Sequence, residues 1–456
     1  MGKYDVIIIG AGLSGLAAGI RLSQFGSRVR IFDMQRYAGG MNSYYRRGER
    51  AYDVGLHAMT NYSLERSSPL SLMLRQLRIR RDELELVPQR SSRISFLDTD
   101  LEFDNDFGTF RDSVARSFPG DQVAFDRFVA RIREDDSFNP SLGFESTRAV
   151  MREVGLSVEL SEMLLCPVMY YGSSWSLDMD FHQYCVLFSS MFLEGLCRPA
   201  GGMESLVGVL TKRFLENGGE LSLGSAIRSI ELSGGRVSGV VDSAGHFHGC
   251  DAVLSCAGYP ETLDLVHGQH APEMIGELGF TESLFELSRP ARDFGLADSV
   301  VFFNSSSAFS YGVPTEGFEL SSFVLCVPGN FPGVRESGRG PAIRMTALAS
   351  PKYWKGLSKG DYELAKAALL RDELDILESM YPGISKAVIY SEAFTPKTIE
   401  RYTGRLNGAV YGSPIKIKNG LTDVPGLLIC GTDQGFLGIV GSMLSGIVVV
   451  NRHLMT

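Results

Sequence analysis

With 456 residues, 44% hydrophobic and 21% charged, the chain has an ordinary globular composition and room for about three units of roughly 150 residues each. Its net charge of -9, from 44 Lys+Arg against 53 Asp+Glu, argues against general nucleic-acid binding, which needs cations to displace counterions from phosphate. Seven cysteines without a C-x-x-C argue against a disulfide framework or a zinc site and for a reducing cytoplasm.

Residues 3–9 read as a buried strand, because Val6, Ile7, Ile8 and Ile9 form a continuous β-branched run. That run is too short for a secretory signal and ends in glycines. The turn Gly10-Ala11-Gly12-Leu13-Ser14-Gly15 follows at once. Leu13, Leu16, Ala17 and Ile20 then recur at helical spacing, and a second apolar strand, 29–32, ends at Asp33. This is a βαβ unit with a dinucleotide fingerprint in its first turn. Gly10 permits the tight turn, Gly12 lets a pyrophosphate approach the backbone, and Gly15 lets the helix pack on the strand. The helix N-terminus offers unpaired N–H groups to the phosphates. Asp33, 18 residues after Gly15, can hydrogen-bond the adenosine ribose and disfavours a 2′-phosphate.

Next comes Arg36-Tyr37-Ala38-Gly39-Gly40-Met41-Asn42-Ser43. An NAD domain has no reason for a second Gly-Gly here, whereas a larger cofactor must pass its ribityl chain along the backbone. Tyr52-Asp53-Val54-Gly55-Leu56-His57 follows. Arg75, Arg78, Arg80, Arg81, Arg90 and Arg93 read as a solvated helix edge, with an anionic membrane or carrier as the sharper alternative. Met169, Tyr170, Tyr171, Trp175, Phe181, Tyr184, Phe188, Met191 and Phe192 singly read as core and together fit the wall of an apolar pocket. A helix is expected over 204–217 and strands over 219–223 and 226–232. His246 and His248 share a strand face, but no third ligand accompanies them and a metal site is rejected. The low-charge stretch 427–450 contains Asp433 and five glycines, and reads as strand, glycine turn and buried helix rather than a membrane span. There Gly431-Thr432-Asp433 closes the strand, and the helix that follows can aim its N-terminus at a reduced flavin.

Both ends of the chain resemble the phytoene desaturase, carotenoid isomerase and retinol saturase group of the amine-oxidase-like flavoproteins. So do Pro199-Ala200-Gly201-Gly202-Met203, Val253-Leu254-Ser255-Cys256-Ala257-Gly258, residues 394–402 and Gly408-Ala409-Val410-Tyr411-Gly412. The resemblance implies an α/β fold with a Rossmann-like, discontinuous FAD-binding domain (1–89, 196–260 and 411–456). A mixed-sheet and helical α+β substrate domain would take 90–195 and 261–410. It places Gly10, Gly12 and Gly15 at the pyrophosphate and Asp33 at the ribose. Gly39, Gly40 and Met41 would lie beside the ribityl-flavin portion, and Ile227 at adenine through its backbone. Asp433 would bind the ribityl or pyrophosphate portion, with Ile439 and Val440 at the ring. Ala11, Ser14, Met34, Arg36, Asn42, Gly431 and Gly438 complete the FAD-binding set. Many relatives carry Arg or Lys where this chain has Met41, so Arg36 or Asn42 would have to serve instead.

The expected activity is redox chemistry at carbon–carbon bonds of an apolar, conjugated, free or carrier-bound substrate: desaturation, saturation, isomerisation or redox cyclisation. An amine or amino-acid oxidase is the main alternative. A non-catalytic flavin-binding protein and an NAD-dependent dehydrogenase stand behind it. His57 is the candidate proton-exchanging group, against a structural hydrogen-bonded role. Tyr411 and Gln434 are candidates for the substrate side of the flavin, with core or loop roles as the plainer reading. Lys397 and Arg401 are candidates for a substrate carboxylate or phosphate, with surface pairing as theirs. No second G-x-G-x-x-G follows a strand, so oxygen, a quinone or a visiting nicotinamide would be the electron partner. An apolar substrate makes transient membrane contact an expectation, with the protein otherwise cytoplasmic.

Overall fold

A computed structural model describes residues 3–48, 50–55, 57–137, 139, 141–335 and 340–455; Leu56, within the stretch before His57, lies outside them. The apolar run near the N-terminus forms the strand β1 (Tyr4–Ile9), whose last four residues are buried. Helix α1 (Leu13–Ser23) leads to β2 (Val29–Asp33), parallel to β1. The pairing Ile9↔Phe32 puts the glycine turn and Asp33 at the same edge of the sheet.

Among the described residues the chain builds two seven-stranded sheets. In the first, β1 lies between β2 and Phe247–Ser255, and β2 continues to Glu220–Leu223. Leu427–Ile429 returns from the far end of the chain to pair in parallel with Phe247–Ser255. An antiparallel meander, Ile227–Ser233 and Arg236–Asp242, completes it. Parallel strands need covering on both faces, and helices supply part of that cover. Gly202–Glu216 and Gly438–His453 share one apolar core with α1 and β1. A β-carbon on Gly446 would fall 2.1 Å from the Ser14 carbonyl oxygen, so Gly438–His453 and α1 touch backbone to backbone.

The second sheet runs Val388–Phe394, Gly279–Leu287, Ala342–Ala349, Phe318–Cys326, Val300–Asn304, Ser92–Phe96 and Thr99–Phe103. It is antiparallel except where Val300–Asn304 meets Ser92–Phe96. Lys359–Met380 packs on one face. On the other lies a helical layer that includes Val158–Gly172 and Phe181–Phe188, sharing the largest core with the sheet. Ser146 and Ser157 cap helices there by accepting from the N–H groups of Ala149 and Leu160. Of the aromatic group expected in this region, Tyr170, Phe181, Tyr184, Phe188 and Phe192 are buried, whereas Trp175 is 47% exposed and sits against Phe144.

The stretch 427–450 forms the strand, a short turn at Thr432–Gln434 and the helix Gly438–His453. Among the described residues no helix is long and apolar enough to cross a membrane. The basic stretch is largely satisfied locally: Arg80 pairs with Asp82, Arg81 donates to the Ser63 carbonyl, and Arg93 pairs with Asp100 and Asp298.

Candidate functional site

The three fingerprint glycines answer to different demands. Gly10 adopts φ +103°, which side chains avoid. A β-carbon on Gly15 would sit 2.1 Å from the Gly10 carbonyl oxygen, so the helix could not close on its strand. Gly12 has φ −68°, and a β-carbon there would meet only Gly40 Cα, at 4.0 Å. Nothing in the protein itself requires glycine at Gly12. The open face there is a cradle that a side chain would fill, as expected where a pyrophosphate approaches the backbone. Helix α1 has no side-chain cap and no acidic residue in its first turn. Its N-terminal dipole and free N–H groups therefore stay available to an anion.

Short hydrogen bonds gather the other expected residues around this turn. Asp33 accepts from the Ala11 N–H at 2.7 Å with one carboxylate oxygen and from the Gln35 N–H at 2.7 Å with the other. Burial raises its pKa, and the two amides oppose that. Each oxygen keeps lone pairs for a ribose hydroxyl. Gly39 donates to the Ala11 carbonyl at 2.8 Å, which lays Gly39, Gly40, Met41 and Asn42 beside Gly12. Gly39 and Gly40 both have positive φ. Ser225 donates to the Asp33 carbonyl, bringing the start of Ile227–Ser233 to the same edge. A β-carbon on Gly431 would lie 3.2 Å from Ser14 Oγ, so the C-terminal turn abuts α1 directly. Met34 is exposed near Gly404, and Arg36 lines a surface groove of about 430 Å³ with Tyr37, Tyr44 and Lys212.

Three expectations take a more definite form in the structure. Asp433 does not present its carboxylate to a ligand. It is fully buried, and accepts from Arg405 Nη1 at 3.1 Å, the Tyr259 N–H at 2.6 Å and the Ser413 N–H at 2.9 Å. Burial alone would raise its pKa; Arg405 and Lys416 outweigh burial and hold it below the usual carboxylate value. Lys416, 3.9 Å from Asp433, is lowered to about 8 by burial and by Arg405, against the pull of Asp433. Asp433 thus anchors the turn rather than lining it. Ile439 and Val440 point their side chains into the core shared with α1, so only their backbone is free to face a ring.

His57 is the third. Its Nε2 lies 2.6 Å from Thr346 Oγ1, and its carbonyl accepts from Arg198 Nη1 at 2.6 Å and from Cys326 Sγ at 3.0 Å. Burial and the nearby Arg344 and Arg198 depress its pKa to about 3. His57 is therefore neutral at neutral pH, and these contacts are those of the structural hydrogen-bonded role. Arg198 also pairs with Asp53, whose other oxygen accepts from the Met203 N–H at 2.7 Å, and Arg344 pairs with Glu282 and donates to the Asp53 carbonyl. Sequence reasoning passed over this cluster; Asp53, inside a stretch already singled out, was its only local signal.

Tyr411 belongs to an aromatic layer. Its hydroxyl donates to the Tyr170 carbonyl and its ring meets Phe280 edge-on at 5.6 Å. Burial raises its pKa, so it stays protonated. Tyr170 in turn packs on Tyr311 at 5.7 Å and Phe309 at 6.1 Å. This layer adjoins the C-terminal turn, because Lys416 donates to the Tyr411 carbonyl at 2.7 Å and Leu437 packs into the same core. Gln434 is buried and accepts from Ser445, a structural role. His246 and His248 both turn toward Asp242, while Lys397 and Arg401 stack over Tyr362 and Tyr402.

The chain is 22% identical to the chloroplastic prolycopene isomerase of Daucus carota, over 99% of this chain and 80% of that protein. It is 21% identical to the all-trans-retinol 13,14-reductase of Homo sapiens, over 99% and 86%. An oxidoreductase structure from Methanosarcina mazei shares the fold, with a TM-score of 0.68, 16% identity and coverage of 98% and 100%. The flavin containing amine oxidoreductase family matches residues 13–397, starting at the first residue of α1 and running across both sheets. By that match the chain is a flavin-containing oxidoreductase and belongs to this family.

Proposed function

We propose that the protein holds FAD along the edge of its parallel sheet and carries out redox chemistry at carbon–carbon bonds of an apolar, conjugated substrate. The observation behind the cofactor assignment is Gly12, where the fold leaves room for a side chain that the sequence withholds. In this reading Asp33 and the backbone at Ile227 take the adenosine, and the Gly10–Gly15 turn with Ser14 takes the pyrophosphate. Gly39 to Asn42 follow the ribityl chain. The backbone of Gly438, Ile439 and Val440, at the start of the last helix, meets the ring. When bound, FAD supplies a centre that accepts or donates a hydride.

Residues of the chain supply what surrounds it. The N-terminus of Gly438–His453 carries the positive end of a helix dipole, which favours negative charge. Tyr411, Tyr170, Phe280 and Tyr311 pack on one another beside the C-terminal turn, an apolar aromatic layer suited to a water-excluding surround for conjugated carbon. Neutral His57 and protonated Tyr411 orient neighbouring groups without titrating near neutral pH. The names of the curated relatives, an isomerase of prolycopene and a reductase of retinol, are in keeping with an apolar polyene substrate.

The test is anaerobic absorbance of the purified protein with NADH, NADPH and then retinol in detergent micelles. The reading expects a flavin spectrum, release of FAD on denaturation, and a change in the polyene band or in the flavin band when retinol is added. Peroxide formed from amines, with no polyene spectral change, would replace this reading with an amine oxidase. A protein that binds no flavin would overturn the cofactor assignment itself.

A further inference from the structure

We propose that Cys256 and Cys430 form a redox modification site, a dithiol that closes to a disulfide beneath the glycine turn. The two residues lie 174 positions apart, and the sheet brings them together. Phe247–Ser255 and Leu427–Ile429 pair in parallel with Ser255 opposite Ile429, and each strand is followed directly by a cysteine. Cys430 donates its N–H to the Ser255 carbonyl at 3.0 Å, and Cys256 donates to the Ile9 carbonyl at 2.8 Å. Both cysteines are thus held at the strand ends. Neighbouring strands run about 4.8 Å apart, inside the roughly 4.4–6.8 Å window of Cα separations that a disulfide bridges. The two sulfurs already lie 3.1 Å apart, against about 2.05 Å in the bond, so a small side-chain movement closes the gap.

The surroundings suit the chemistry. Cys430 is buried and Cys256 is not, while the other five cysteines are all buried. Cys256 is therefore the more accessible of the two. Arg405, fixed by Asp433, interacts electrostatically with Cys256, so a charged side chain lies beside the pair. The pair also lies against functional backbone: Cys256 Sγ is 3.3 Å from the position of a β-carbon on Gly15.

The oxidant is a hydroperoxide, hydrogen peroxide in the simplest case. The Cys256 thiolate attacks one peroxide oxygen, the O–O bond breaks, and Cys256 becomes a sulfenic acid as one water leaves. The Cys430 sulfur then attacks the Cys256 sulfur, and the sulfenic oxygen departs as a second water with the remaining proton. Two thiols lose two electrons and two protons, and one peroxide becomes two waters. Thiol reductants reverse the bond by exchange.

The experiment treats the reduced full-length protein with hydrogen peroxide, blocks free thiols with N-ethylmaleimide, and maps peptides by mass spectrometry without reduction. The expected product is one cross-linked peptide joining Cys256 to Cys430, two hydrogens lighter than its parts. Titratable thiols fall by two from the seven of the sequence, and dithiothreitol restores both. Cys256→Ser and Cys430→Ser each remove the cross-link. Seven thiols surviving oxidation, a Cys256 that proceeds to sulfinic acid uncoupled, or a cross-link between other cysteines would each overturn the proposal. The wild-type map decides the matter even where a serine variant fails to fold.

Discussion

At the scale of single residues, the environment of a group decides its chemistry more than its identity does. A histidine in the stretch expected beside a flavin invites a role in proton transfer, yet burial, with Arg344 and Arg198 nearby, holds His57 neutral. This has a measurable consequence for stability. The unfolded chain takes up a proton at His57 below about pH 6.5, whereas the folded protein does not until about pH 3. The stabilising contribution of neutral His57 is therefore complete above pH 6.5 and is lost as pH falls from there toward 3. At pH 5 the loss is about 2 kcal/mol at most, at roughly 1.4 kcal/mol per pH unit. His57→Gln keeps a hydrogen-bonding side chain for Thr346 and removes the titration. Urea unfolding at pH 5 and pH 7.5 should show a smaller difference for His57→Gln than for the wild type. Equal differences would mean that His57 titrates normally in the folded protein.

At the scale of elements, local signals were legible and long-range ones were not. β1, α1 and β2 could be read because each rests on contiguous residues: a β-branched run, a helical apolar spacing, and glycines at fixed offsets. The same holds for the strand, turn and helix of 427–450. The Asp433–Arg405 pair spans 28 residues, Asp53–Arg198 spans 145 and Cys256–Cys430 spans 174, and no periodicity connects such partners. Asp433 was misread for this reason. A carboxylate after a glycine turn looks available until Arg405 arrives from elsewhere in the chain. Glycines of the last helix show the same division. Gly446 meets the Ser14 carbonyl, whereas a β-carbon on Gly441 would find only ordinary contact with Phe436 at 3.5 Å. Gly446→Ala should destabilise the protein by about 1–3 kcal/mol through overpacking, because backbone on one side and helix on the other leave little to yield. Gly441→Ala in the same helix should be neutral or stabilising by up to about 1 kcal/mol from helix propensity. Denaturant unfolding of the two variants checks the contrast, and equal effects would refute the close helix contact.

At the scale of the whole molecule, the candidate site draws on stretches from both ends of the chain, so cofactor binding and folding are coupled. The N-terminal stretch 10–42, Ile227 and the C-terminal turn belong to distant segments that meet only in the folded protein. A ligand that binds only this assembled state stabilises it by about 2.7 kcal/mol at a hundredfold excess over its Kd. With an unfolding entropy of roughly 2.1 cal/mol/K per residue, that corresponds to a rise in Tm of about 3 °C for a chain of this length. FAD added back to stripped wild type should produce this shift. Gly12→Ala and Gly15→Ala separate the two reasons for a missing side chain. At Gly12 the backbone suits alanine and no protein atom lies closer than 4.0 Å, so the stripped variant should melt near the wild type. It should nevertheless lose the FAD-dependent shift, because its methyl group occupies the space beside the pyrophosphate. At Gly15 the added carbon falls 2.1 Å from a backbone oxygen, so the stripped variant itself should be destabilised, by several °C or by failure to fold. Differential scanning fluorimetry with and without FAD distinguishes the two patterns. A Gly12→Ala protein that keeps the full FAD shift would remove Gly12 from the binding face, and the pyrophosphate would then have to lie elsewhere along the sheet edge.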